Sequence, residues 1–191
     1  MLTTRAEIAR ERRRQIQVRK AFEAGLAAVA WNGREPAAFY LACADYLAWS
    51  MNRLHEQDQI IHDLLAERIP AAEKDAHERL AVLQGRQQRS RALVATFSQA
   101  AAALRRSGRA DVQAFEAAAR AFTETFKTLL QPRKNPFFRY TDELFDDADW
   151  ERIAGVTAAS LAEEHELFAA VQGTTPPGVD PDKFTAEHMP G

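Results

Sequence analysis

An all-α, up-down bundle of four-helix type, with about five helices and a loose C-terminal tail, is the fold this chain of 191 residues predicts. Three observations carry that expectation. Apolar residues recur at steps of three, four and seven over long stretches, the spacing of one helical face. No region alternates with period two for long enough to propose a sheet. Only 8 Gly and 8 Pro occur, several of them near the C-terminus, which favours long uninterrupted helices.

The elements follow in order. Ile8, Val18, Phe22, Leu26 and Val29 give residues 4 to 30 an apolar face. Asn32-Gly33 closes that helix, and Pro36 in a first turn opens the next. Tyr40, Leu47, Met51, Leu54, Ile61 and Leu65 define the stripe of the second helix, which Ile69-Pro70 stops after Arg68. The third, from about Ala71 to Arg106, carries His77, Leu80, Leu83, Gln87, Val94, Phe97, Ala101 and Leu104 on one face, with a polar middle from Gln84 to Arg91. The fourth starts near Ala110-Asp111 and uses Val112, Phe115, Ala119, Phe122, Phe126 and Leu129. Arg133 to Tyr140, with three aromatics and Pro136, and with Pro132 just before it, is a short packed loop or a broken helical extension. The acids from Asp146 to Glu151 complement a helix dipole at the start of the last helix. That helix is expected to carry Trp150, Ile153, Thr157, Leu161, Glu164 and Phe168 inward as far as Val171. The chain thus predicts one helical domain over residues 4–171 and a flexible Pro/Gly-rich tail over 172–191.

Composition narrows the function classes. With 25 basic against 27 acidic residues, the net charge of −2 sets up no global field toward nucleic acid or membrane. The arginines from Arg10 to Arg19 are spread around their helix and mixed with Glu7, Glu11 and Glu23, which is the pattern of a solvated face. One cysteine, Cys43, excludes an intrachain disulfide and fits a reducing compartment. It lies among Leu41, Ala42 and Ala44, the setting of a buried, inert thiol. No apolar run reaches the ~20 residues of a membrane span, and the N-terminal residues lack a signal-peptide h-region, so a cytoplasmic location is expected. Phosphate-binding glycine loops and a Gly-x-Ser-x-Gly elbow are absent, so the chain leans away from an enzyme.

The chemistry that remains is imidazole and carboxylate on helices. Asp58 falls on the stripe of the second helix, with His55 and His62 flanking it at i−3 and i+4. His77 lies on the stripe of the third helix, and Glu164 and His165 lie between Leu161 and Phe168 on the last. Facing helices of a bundle can bring such groups to one interior and hold a metal there. Mixed nitrogen and oxygen donors suit iron, zinc or manganese. The alternative is ordinary: histidines at helix edges, and Asp58 paired with an arginine such as Arg91. His188 lies in the tail and is set aside.

Met51-Asn52-Arg53-Leu54-His55-Glu56-Gln57-Asp58, and Leu144 to Ala154 with its Asp149-Trp150-Glu151-Arg152-Ile153 core, resemble the hemerythrin-like (HHE cation-binding) family. The resemblance covers residues 5 to 171 in helix order and length. It implies a four-helix bundle that holds a non-haem di-iron centre through His and Glu or Asp. This chain departs from the ligand pattern. No histidine precedes His55; Gln59 stands where the family has a glutamate, with Asp58 one position early; and Gln131 to Pro136 contains no histidine. A complete di-iron centre is therefore not expected, and one iron or zinc ion, or none, is.

Two functions follow. One is a binding or sensing role at a degraded, single-metal site built on His55, Asp58, His62, His77, Glu164 and His165. The other is a metal-free helical module that binds a protein partner, another copy of itself, or an apolar small molecule lodged among residues such as Trp31, Trp49 and Trp150. Specific nucleic-acid binding and membrane binding are not expected.

Overall fold

The structure, a computed structural model, describes residues 4–27, 36–129 and 137–179. Within these residues the chain forms seven α-helices and one 3-10 turn, with no strand. Four long helices make the bundle: α1 (Thr4–Ala27), α2 (Pro36–Arg68), α3 (Lys74–Ser107) and α4 (Val112–Leu129). Three shorter ones follow: α5 (Phe138–Leu144), α6 (Asp147–Ala154) and α7 (Ala158–Thr174). The central member is α2, which packs against α1, α3, α6 and α7. Its interior shows why. Tyr40, Leu47, Met51 and Leu65 are all buried, and so are Phe39, Cys43, Tyr46 and Leu64, which point in other directions around the helix. A helix apolar on so many sides is stable only when surrounded.

The C-terminal ends of α2 and α3 fall where the sequence places them, while α3 opens at Lys74, three residues after the expected Ala71. Ile69-Pro70 stops α2, and Gly108, in the left-handed region at φ 60, closes α3 and leads through the 3-10 turn into α4. Gly25 allows a different contact. A Cβ there would collide with the Phe39 ring, so glycine lets α1 lie close against the start of α2.

Two expectations are corrected near the C-terminus. The single last helix is two. Gly155 adopts φ 53 and caps α6, and Thr157 then opens α7 with a capping box to Ser160. The break turns Thr157 and Leu161, expected inward, to the surface, while Ile153, Glu164 and Phe168 are buried as expected. Helix α7 also continues to Thr174, three residues past the expected end of the domain at Val171. The aromatic stretch resolves in its described part into α5, anchored by buried Phe137 and Phe145. Arg68, at the end of α2, fixes the α5–α6 corner: it donates to the Leu144 carbonyl at 2.7 Å and pairs in bidentate fashion with Asp149. Asp149 also completes a capping box with Asp146. Val29, Trp31, Asn32-Gly33, Gln131 to Pro136, His188 and the remainder of the predicted tail from residue 180 lie outside the described residues.

The apolar interior has two parts. The larger joins α1, α2, α3, α4 and α7 and contains a run of rings, with Phe97 stacked on Phe122 at 4.2 Å between centroids. The smaller joins the start of α1, the end of α2, the start of α3 and α5–α6, around Leu65, Leu80, Phe145 and Ile153.

Candidate functional site

Between these two cores, in the middle of the long helices, the buried residues turn polar. Gln15 of α1, His55 and Gln57 of α2, and Gln87 and Ser90 of α3 are each at least nine-tenths buried. Burying a polar group is costly unless it is paired. His55 Nε2 and Ser90 Oγ are 2.8 Å apart. Gln15 donates to Met51 Sδ at 3.1 Å, and Gln57 donates to Glu11 at 3.0 Å. Gln87 is the exception, with both side-chain amide atoms buried and without a partner. Burial, and then the charge of Arg91, lower the pKa of His55 from 6.5 to about 4, so its ring is neutral at physiological pH.

The Asp58 side chain is 32% exposed, so it is mostly but not fully buried at its place on the stripe. Its partner is Arg12 of α1 at 3.7 Å, an ion-pair distance and not a hydrogen bond. The surroundings still disfavour its charge: burial raises its pKa, and Arg12 only partly opposes the shift. Arg91, the partner foreseen for Asp58, instead reaches the His55 carbonyl and Gln59.

The other candidate ligands have separate neighbours. His62 lies beside Asp63 at 3.2 Å. His77 is half-buried, and its Nε2 is enclosed without a hydrogen-bond partner. His165 is exposed. Glu164 is the most buried carboxylate described, at 1% exposure, and sits where α7 meets α1 and α2. Arg10 approaches it at 3.1 Å and Arg14 at 3.5 Å, and the Tyr46 hydroxyl donates to it at 3.3 Å. Burial, followed by the Glu164 charge, pushes the Tyr46 pKa well up, so Tyr46 stays a donor. Arg14 also lies over the Phe168 ring at 4.6 Å. This cluster is a clasp holding α7 to the bundle.

No hydrogen bond or ion pair joins any two of His55, Asp58, His62, His77, Glu164 and His165. No group of three or more His, Cys, Asp or Glu side chains able to hold a metal occurs among the described residues. The arrangement therefore does not fit a di-iron centre, whose ligands must converge from facing helices. Cys43 is fully buried and its thiol pKa is raised by that burial, which suits an inert side chain. Beside the belt, the space between Glu11, Gln15, Trp49, Arg53 and Gln57 is about 10 Å³, room for about one water and for no larger ligand. An open depression of about 430 Å³ lies elsewhere, between Glu73, Arg79, Phe137 and Tyr140. No helix among the described residues is long and apolar enough to cross a membrane.

Spacing of ionisable residues missed two features. Gln15, Gln87 and Ser90 complete the belt but are not ionisable. The outward side of α3 carries Arg86, Arg89 and Val82, all exposed. Its signal was available in the polar run from Gln84 to Arg91. Comparison with protein-family models, with curated proteins and with solved structures finds no match.

Proposed function

We propose that the chain is a hemerythrin-like helical bundle acting as a metal-independent docking module, which binds a protein partner through the outward side of α3. The observation that carries this reading is Val82, 56% exposed on the surface of α3, within two turns of Arg86 and Arg89. An apolar residue beside arginines is the composition of a contact centre with a charged rim. Neither Arg86 nor Arg89 holds an ion pair with any described residue. The guanidinium of Arg89 lies back over Gly85, one turn before it on the same face. The polar belt supports the same reading from inside, because His55 is bonded to Ser90 of the neighbouring helix and to none of the other candidate ligands.

A photo-crosslinking amino acid in place of Val82 tests this in cells. One discrete crosslinked protein, lost when Arg86→Glu and Arg89→Glu are added, is the expected result. No crosslinked protein, or the same product from a probe on exposed Glu56 of α2, removes the reading.

A second reading, one iron or zinc ion at His55, draws on a single observation. The ring is neutral at physiological pH, and neutral imidazole is the form that binds metal.

A further inference from the structure

Charge is segregated along this chain. From Arg79 to Ala110 there are seven arginines and no acid. From Phe137 to Val179 there are nine acids and two arginines. In the fold these stretches become surfaces on different helices around α2, with α3 carrying the arginines and α6 and α7 the acids.

The match extends to individual positions. Arg86 and Arg89 are exposed at i and i+3 on α3, and Glu163 and Glu166 are exposed at i and i+3 on α7. None of the four has an ion-pair partner among the described residues, whereas other exposed charges do, such as Arg105 with Asp45 at 2.7 Å. The exposed neighbours of Glu163 and Glu166 on α7 are small, Ala159, Ala162 and Ala170, and Ala92 follows Arg89 at i+3 on α3. Small residues let two helix axes approach within the usual 8–10 Å of packed helices. Val82, one of the large exposed apolar residues, lies on the same face of α3 as Arg86 and Arg89, one and two turns before them.

Resting on the α3 docking reading, we propose that the protein partner is a second copy of this chain, whose α7 lies along α3 with Glu163 and Glu166 opposite Arg86 and Arg89. Nucleic acid fits less well. The chain is net negative at −2, and the only aromatic residue of α3, Phe97, is buried and offers no surface for a base to stack on. The contact joins unlike faces. It closes as a dimer if both pairs meet at once, and otherwise adds copies head to tail. Exposed ion pairs are individually weak and screened by salt, so the association is concentration-dependent and salt-sensitive.

Sedimentation velocity of the full chain tests this, with far-UV circular dichroism confirming that each variant stays helical. The weight-average mass of the wild type should rise with concentration in 50 mM NaCl, and the association should weaken by roughly tenfold in 300 mM NaCl. Arg86→Glu with Arg89→Glu should be monomeric, and so should Glu163→Arg with Glu166→Arg. An equimolar mixture of the two variants should regain the wild-type mass distribution, because each then presents the charge the other needs. A dimer or a longer series both bear out the contact. A wild type that stays monomeric, reversals without effect, or a mixture that stays monomeric overturns it. If the Val82 crosslink captures a different protein, the docking reading stands and self-recognition falls. If Arg86→Glu with Arg89→Glu removes duplex-DNA binding from a wild type that never self-associates, the face serves nucleic acid and both fall.

Discussion

His55 of α2 and Ser90 of α3 are joined at 2.8 Å across the middle of the bundle, at the level where the two apolar cores separate. The bond suits a neutral ring, and burial holds the His55 pKa at about 4 against its ordinary 6.5. A histidine whose pKa is lowered by folding contributes stability that is complete above the unfolded value and is lost as pH falls from 6.5 toward 4. The slope inside that window is at most about 1.4 kcal/mol per pH unit for one proton. Asp58 works the other way, since its raised pKa means that protonation at acid pH relieves a cost. Urea unfolding between pH 7.5 and 4.5 should show the wild type losing stability, and His55→Gln should flatten that loss. An unchanged slope in the variant would assign it to other groups.

Gln87 lies in the same belt with neither amide atom paired. Each unsatisfied buried polar group costs about 1–3 kcal/mol. Gln87→Leu, close in volume and free of that cost, should raise stability by about 1 kcal/mol or more. Chemical denaturation of the purified variant measures this. A destabilised variant would show that Gln87 has a partner in solution, and a bound water is the first candidate.

The long helices were legible in the sequence because their stripes are continuous: Tyr40, Leu47, Met51 and Leu65 are buried where the three-four spacing puts them. The break after α6 was harder to see. A single glycine is tolerated inside a helical pattern, so Gly155 did not outweigh the apolar residues on either side. The decisive sign was Thr157 followed three residues later by Ser160, a capping box formed by residues that also occur within helices. Asp58 stops short of full burial for a geometric reason. It shares a stripe with Leu54 and Ile61, but that flank of α2 is only partly covered there, and Ile61 is itself half-buried. The belt was only half visible, because the partner of His55 is a serine and serine spacing carries no charge signal.

Metal binding follows from the divergence of the candidate ligands. Three donors held by one side chain each, namely His55 by Ser90, Asp58 by Arg12 and His62 by Asp63, would have to leave those partners to meet at one ion. Equilibrium dialysis of tag-free protein against Zn²⁺ and Fe²⁺ should give zero or one ion per chain. Any single ion should be lost in His55→Gln or in His62→Gln. Two ions per chain, retained in both variants, would place a ligand set on groups outside this account.

Glu164 should be the most sensitive charged residue in the protein. Its carboxylate is 1% exposed and faces Arg10, Arg14 and the Tyr46 hydroxyl. Removing one member of a buried charged cluster costs about 3–5 kcal/mol, because the remaining charges lose their counter-ion while staying partly desolvated. The two arginine side chains are about a quarter exposed, at 26% and 28%, so water recovers part of that loss. The expected cost of Glu164→Gln is therefore near the lower end, about 3 kcal/mol. Because Glu164 ties α7 to α1 and α2, the damage should be local at first. Amide exchange in Ala158–Thr174 should accelerate before exchange in α3 or α4 changes. A triple change, Glu164→Met with Arg10→Met and Arg14→Met, should recover much of the stability, since it removes the unpaired charges along with the pair. Equal destabilisation by the single and triple changes would mean that packing of Phe168 and Val171, not the clasp, holds α7 in place.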